Sequence, residues 1–407
     1  MKEKIWKLLK NKMVQDGILS IGAKCIFYFV VNFVIYSLLN RRMGDSAYGE
    51  FVVLLGYVQV FAFGCGEALN HLRVLHQQTD GENAANYRLI AFLECIIGFV
   101  VLSASLLSGR LDGAERVLYA LIGVVMMLRL YTECMFRIQI NYRRILLSSV
   151  ICSLGYMAGF LLYLAGASWC VIFLCGEGAA VVYAALAGRA FAAENRVSRA
   201  FTDTLKSVAT LTCSYLISYV LIYSDRFILE AFTDSSLAGR YFNATYYGKL
   251  VAVVIPPVTS VLLSNISKGT IKLNVKMTAR VTWFSIGAVL LFFAAGIPGA
   301  RIMMLILFPD SYGAVVSFID IANLSLIVYY SCSIINMLAI RLCPYILQIV
   351  VEVVYSALYL GAGILGTYLY GVTGFAAGSL LVNILRFIML LVPVMLTVRR
   401  NEKNGEV

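Results

Sequence analysis

The sequence predicts an all-α integral membrane protein of about 12 transmembrane helices, arranged as two six-helix bundles with both termini cytoplasmic. Three observations predict this. First, 61% of the 407 residues are hydrophobic and only 14% are charged. The mean hydropathy is +0.84, far from the roughly half-apolar, quarter-charged make-up of soluble domains. Second, apolar runs of about 20 residues, long enough to cross hydrocarbon, recur along the whole chain. Third, Lys and Arg gather in alternate loops. Cytoplasmic loops retain these residues and translocated loops do not, so only a chain threaded repeatedly through a bilayer has reason to alternate in this way. The composition excludes a soluble enzyme. The net charge of +11 would suit nucleic acid, but the basic residues sit in short loops on one side of a bilayer, so the expected contact is with anionic lipid headgroups and not with nucleic acid.

Taken in order, the apolar runs place helices over Ile18–Leu39, Phe51–Asn70, Arg88–Leu107, Arg116–Phe136, Ile145–Ala165 and Trp169–Gly188. Six more follow over Lys206–Phe232, Tyr241–Leu263, Thr278–Pro298, Val315–Leu338, Ile346–Leu369 and Val372–Val398. An inside N-terminus puts the Lys2 to Lys12 cluster, Arg73, Arg88, Arg137 to Arg144, Arg189 to Lys206, Lys268 to Arg280, Arg341 and Arg399 to Lys403 in the cytoplasm. Arg41, Arg42, Arg110, Arg116, Arg240 and Arg301 then fall outside. The balance, about 22 against about 6, sets the orientation. The first apolar run is too long for a signal-peptide core and has no small-residue cleavage site, so it is expected to stay in the mature protein.

The bundles are expected at 18–188 and 206–398, joined by a cytoplasmic linker at 189–205 and followed by a tail at 399–407. Residues 1–17 form a basic segment. Ile5, Trp6, Leu8 and Leu9 among its lysines suit either an amphipathic helix on the inner leaflet or a plain tail. The bundles also share a plan. Gly44, Asp45, Ser46, Ala47, Tyr48, Gly49, Glu50, Phe51 after the first helix is echoed by Asp234, Ser235, Ser236, Leu237, Ala238, Gly239, Arg240, Tyr241 within the seventh-to-eighth connection. An even number of spans per bundle keeps both copies in one orientation, related by an axis along the membrane normal. A third echo, Pro309, Asp310, Ser311, Tyr312, Gly313, leaves open that the turn is simply a recurrent outer loop.

The stretch Tyr223, Ser224, Asp225, Arg226, Phe227, Ile228, Leu229, with Ala238, Gly239, Arg240, Tyr241, Ala244 and Lys249, resembles the seventh-to-eighth helix signature of bacterial polysaccharide transporters. These are the lipid-linked oligosaccharide flippases of the multidrug/oligosaccharidyl-lipid/polysaccharide exporter superfamily. Arg42 to Gly49 resembles that family's loop after its first helix, and Leu307 to Tyr312 the segment before its tenth. The resemblance implies a flippase in the bacterial cytoplasmic (inner) membrane. Its substrate would be an undecaprenyl-diphosphate-linked oligosaccharide destined for O-antigen or capsule, and a polysaccharide polymerase and a chain-length regulator would be its partners. The chain lacks the two extra helices of some lipid-linked peptidoglycan-precursor flippases, which argues against that substrate.

A charge in hydrocarbon costs at least about 2.5 kcal/mol, so it should face a water-filled cavity or a partner. Five cations qualify: Lys24, Arg129, Arg226, Lys249 and Arg386. Fixed positive charges of this kind can replace water around a diphosphate. Each also has a plainer reading. Arg129 and Glu133 are spaced to pair on one helix face, Arg226 can pair across helices or snorkel, and Lys24 can reach the inner interface. Lys249 and Arg386 have no helical carboxylate within one turn.

Glu94, Glu133, Glu177, Asp225, Asp320 and Glu352 are the membrane-depth acids. They suit either proton or sodium coupling or salt bridges to those cations. Among the 25 Tyr and 23 Phe, Tyr215, Tyr219 and Tyr223 form a stripe along the seventh helix, fit either for stacking on sugar rings or for ordinary packing. Gly44, Gly49, Gly239, Pro256, Pro257, Gly371 and Gly374 are expected to shape turns and kinks.

The ten cysteines, mostly inside apolar runs and never as Cys-x-x-Cys, read as small core residues, with no metal site and no disulfide. An enzyme is a different class. Polymerases of sugar repeats need a long outer loop, which is missing, and membrane acyltransferases need a catalytic His. His71 and His76, expected in a short cytoplasmic loop, are too isolated for one. No Gly-Lys-Ser phosphate motif is present, so direct use of ATP is excluded and no cofactor is expected. The alternative transporter is a multidrug exporter of the same superfamily, whose organic cations five buried cations would repel.

Overall fold

The computed structural model describes residues 12–75, 80–105, 109–189, 197–198, 200–267 and 275–404. The first eleven residues of the basic N-terminal segment, most of the 189–199 connection and the last three residues lie outside them. The described residues contain no strand. A backbone in hydrocarbon must satisfy its own N–H and C=O groups, and a helix does this within one segment. Nine helices among the described residues are long and apolar enough to cross a membrane, so this is a multi-pass membrane protein.

In chain order, α1 (Lys12–Tyr28) passes through a π-helical stretch, Phe29–Ile35, into α2 (Tyr36–Leu75). Then come α3 (Asp80–Ala104), α4 (Gly113–Ile138), α5 (Tyr142–Leu164), α6 (Cys170–Gly188), α7 (Phe201–Ile222), α8 (Ser224–Phe232), α9 (Ser235–Ala244) and α10 (Tyr246–Ser267). After α11 (Val275–Leu307), a 3-10 turn at Pro309–Ser311 leads to α12 (Tyr312–Val315), α13 (Ile319–Leu342) and α14 (Tyr345–Asn404).

Two apolar stretches are far longer than one crossing. Ile18–Leu75 has 58 residues and Ile346–Arg400 has 55, about 80–90 Å each at helical rise against hydrocarbon about 30 Å thick. Each is broken at one glycine of positive φ, Gly44 (φ 76°) and Gly371 (φ 61°), a backbone region that a Cβ disfavours. The π-helical stretch loosens the first of them further. There the Asn32 amide donates to the Tyr28 carbonyl at 3.1 Å, which keeps a mid-span polar side chain satisfied.

The seventh and eighth expected spans are each interrupted, at Tyr223 and at Thr245. His71 lies inside α2 rather than in a loop, because the helix runs past the last apolar residue of the span. His76 lies outside the described residues.

The chain forms two compact units, Met1–Leu39 with Leu54–Tyr223, and Asn40–Val53 with Ser224–Val407. The division therefore falls at Tyr223, not in the 189–205 linker. Side chains explain both departures. In the first unit α7 is held by a bond from Thr212 to Glu94 on α3 and by the ring contact of Tyr215 with His71. The 40–53 turn is held in the second unit by Asp45, Tyr48 and Gly49, as described below. The core of the second unit gathers Val251, Ile255, Ile327, Ile335, Leu338 and Val394.

Outside the helices the chain accepts backbone strain at Ile140, an exposed β-branched residue with φ 51°. Replacing Ile140 by Gly should raise stability by about 0.5–1 kcal/mol, and Gly371→Ala should lower it by about 1–2 kcal/mol. Thermal melting of the purified protein in detergent checks both signs.

Candidate functional site

The second unit is organised around the break between α9 and α10. A helix that stops at Ala244 and restarts at Tyr246 leaves a free carbonyl and a free amide, and lipid offers nothing to pair them. Asn323 of α13, 2% exposed, supplies both partners. Its Nδ2 donates to the Ala244 carbonyl at 2.7 Å and its Oδ1 accepts from the Gly248 N–H at 2.7 Å. One turn away, Lys249 Nζ donates to the Phe242 carbonyl at 3.1 Å and stands 3.7 Å from the centre of the Phe242 ring.

Arg226 of α8 approaches the same ring, with its guanidinium carbon 4.4 Å from the centroid. It also donates to the Val52 carbonyl at 3.2 Å and is buried. Two cations therefore share one aromatic ring. Among the described residues no carboxylate lies within ion-pairing distance of Lys249. Asp225 accepts from the Arg226 backbone N–H at 2.9 Å.

The 40–53 turn closes over this region. Asp45 pairs with Arg240 at 2.8 Å and accepts from Ser311 at 2.8 Å, while the Tyr48 hydroxyl donates to Asn243 at 3.0 Å. The turn can come this close because Gly49 meets Gly239. A Cβ on Gly239 would stand 2.9 Å from Gly49 Cα, and one on Gly49 would run into the Ser235 carbonyl. The Asp-Ser and Gly positions that repeat in the sequence are thus gathered in one place, with Ser311 of the third echo.

Three further cations are matched by acids. In the first unit Arg129 binds Glu177 through Nε and Glu133 through Nη1, the latter at 3.2 Å. Tyr156 donates to Glu177 at 2.7 Å and Ser148 to Glu133 at 3.1 Å. Phe27 lies 5.2 Å from the guanidinium.

In the second unit Arg386 pairs with Glu352 at 2.6 Å between the rings of Tyr329 and Tyr355. Arg301 pairs with Asp320 at 2.5 Å. Glu94 is the acid that meets a hydroxyl instead, Thr212 at 3.1 Å. Lys24 is exposed. Of the five cations singled out in the sequence, the structure brings together Arg226 and Lys249, gives Arg129 and Arg386 carboxylate partners, and leaves Lys24 apart. No group of three or more His, Cys, Asp or Glu able to hold a metal occurs among the described residues.

Solved structures share this architecture. An inward-facing multidrug resistance MATE family transporter of the MOP superfamily matches with TM-score 0.65 and 12% identity over 95% of this chain and 96% of that one. The lipid II flippase MurJ, in an inward closed conformation, matches with TM-score 0.67 and 13% identity over 97% and 90%. The Vibrio cholerae MATE transporter VcmN in its bent form matches with TM-score 0.59 and 12% identity over 97% and 98%. The fold is that of the MOP superfamily transporters. At these identities the likeness speaks for the fold. No protein-family model matches the sequence, and no curated protein matches it significantly. The similar structures are transporters and a flippase, and none of the three is an enzyme.

Sequence reasoning missed Asn323, Phe242 and Tyr156. The signal for Asn323 is present, a polar amide inside an apolar run, but its partner is a break that no Gly or Pro marks.

The pairing geometry fixes the order of two acids. Replacing Glu177, 1% exposed, by Ala leaves Arg129 with Glu133 alone and the Tyr156 hydroxyl without its acceptor, and should cost about 3 kcal/mol. Glu352→Ala should cost about 1 kcal/mol, because that carboxylate is already 44% exposed. Asn323→Leu leaves both groups of the break unpaired and should cost about 2–3 kcal/mol. Melting temperatures of the three variants in detergent test the ranking.

Proposed function

We propose that this chain is a flippase. It would carry an undecaprenyl-diphosphate-linked oligosaccharide repeat unit from the inner to the outer leaflet of the bacterial cytoplasmic membrane, by alternating inward and outward opening, for O-antigen or capsule synthesis. The observation that carries the reading is the convergence of Arg226 and Lys249 on Phe242. Arg129, Arg240, Arg301 and Arg386 are each balanced by a carboxylate. Lys249 has no such partner among the described residues, and it stands beside Arg226 at Phe242 in low dielectric, where the repulsion of like charges is strongest. A visiting anion relieves it, and a diphosphate brings enough charge to satisfy both cations while its oxygens accept their hydrogen bonds. An organic cation would meet the same pair as a barrier.

The topology fits this role. Two passes for each glycine-broken stretch and one for the α9–α10 segment are consistent with about 12 crossings, and the alternation of basic loops favours cytoplasmic termini. The acids left for proton or sodium coupling are Glu94 and Asp225, since Glu133, Glu177, Asp320 and Glu352 each sit against an arginine. No cofactor enters this reading. A polysaccharide polymerase and a chain-length regulator would receive the product on the outer face.

A multidrug exporter is the second reading. It is favoured by the neutralised state of Arg129 and Arg386, which removes two of the five cations that would repel a cationic drug.

Expression in cells lacking their own flippase of this class, beside matched glycosyltransferases, separates the two. Surface polymer should return with the native chain. It should fall at least about tenfold with Arg226→Gln or Lys249→Gln at normal membrane levels, the loss of one charge-assisted contact. Unchanged polymer in both variants, or efflux of ethidium without polymer, would sink the proposal.

A further inference from the structure

Helix α7 carries a feature that the diphosphate site does not use. Tyr215, Tyr219 and Tyr223 recur every four residues and stack in sequence, 6.3 Å and 6.2 Å between centroids with planes 24° and 18° apart. Two rings of α2 adjoin the row. His71 stacks on Tyr215 at 5.5 Å and 25°, and Phe63 lies beside it, 5.5 Å from Tyr219 and 6.4 Å from Tyr223. The result is a ladder of three tyrosines capped by His71 within the first unit, about 12 Å long between its outer tyrosines.

Unlike the aromatic residues of the core, such as Tyr156 and Phe173, the three tyrosines of the ladder are only half-buried. The rest of α7 shows which solvent the ladder meets. Cys213, Ile217 and Val220 form one exposed face, apolar and fit for lipid, while Ser207, Ser214 and Ser218, at i, i+7 and i+11, form another that is hydroxylated. The ladder occupies a third face of the helix, about 120° from each of them. It ends on polar groups, since His71, 49% exposed, stands 3.9 Å from Glu67 and the Tyr215 hydroxyl bonds the imidazole. An imidazole, a carboxylate and a phenol would be costly against acyl chains.

Flat aromatic faces bordered by hydroxyl, imidazole and carboxylate groups match the two-sided chemistry of a sugar ring, apolar C–H faces with a polar rim. We propose that the ladder of Tyr215, Tyr219 and Tyr223, with His71 and Glu67 at its end, holds the glycan part of the transported lipid. Sugar rings lie on the tyrosines, and their hydroxyls bond the phenols, His71 and Glu67. The site rests on the flippase reading and adds the surface that recognises sugar rather than phosphate. Its length admits more than one sugar ring.

The test is equilibrium binding of two radiolabelled probes to the full-length protein in detergent: undecaprenyl diphosphate, and undecaprenyl diphosphate bearing a hexose trisaccharide. The native chain should hold the glycosylated probe about tenfold more tightly. Tyr219→Leu and Tyr215→Leu should bring the two probes within about twofold of each other while leaving the bare lipid bound as before, which also reports correct folding. Tyr219→Trp should keep the preference. A native preference that survives both leucine variants, or no native preference at all, overturns the glycan site. Failure of the native chain to bind either probe overturns the flippase reading along with it.

Discussion

A broken helix in hydrocarbon is possible only where something inside the protein takes up the groups that the break sets free. At Thr245 that something is Asn323, whose single amide answers the Ala244 carbonyl and the Gly248 amide together. The second unit depends on this arrangement. The interruption turns α10 relative to α9, and the turn lets Lys249 reach back to the carbonyl and ring of Phe242. With an unbroken helix, Lys249 and Phe242 would be separated by nearly two turns, and the carbonyl would be occupied by its own ladder.

The same economy governs charge. Arg129 is surrounded by two carboxylates that are themselves held by Tyr156 and Ser148, and Arg386 is sandwiched by tyrosines against Glu352. These arrangements are complete without a ligand. Lys249 is different in kind, because among the described residues it meets a carbonyl and an aromatic quadrupole rather than a carboxylate.

Much of this was legible in the sequence, and the parts that were not share a cause. The spans follow from hydropathy, and the breaks at Gly44 and Gly371 follow from residues that tolerate positive φ. The Arg129–Glu133 contact follows from a spacing of four. Glu177 and Glu352 were recognisable as membrane-depth acids, but their partners are 48 and 34 residues away, and no local pattern encodes such a distance. The break at Thr245 escaped because Thr and Tyr carry no helix-breaking signature. The place of α7 in the first unit escaped because the longest polar connection precedes it, and a linker's length says nothing about which side its next helix packs on. The aromatic stripe was readable as a stripe, but not its partial exposure, which depends on what packs against α7.

Gly49 and Gly239 hold the same place in the two copies of the sequence repeat, yet what each faces differs: Gly239 is met by the backbone of Gly49, and Gly49 by the backbone of Ser235 and Ser236. Crowded positions elsewhere in proteins trade bulk, one side chain shrinking as another grows. Main chain has no bulk to give up, so a larger residue at Gly49 cannot be accommodated by shortening the side chain of the residue it meets.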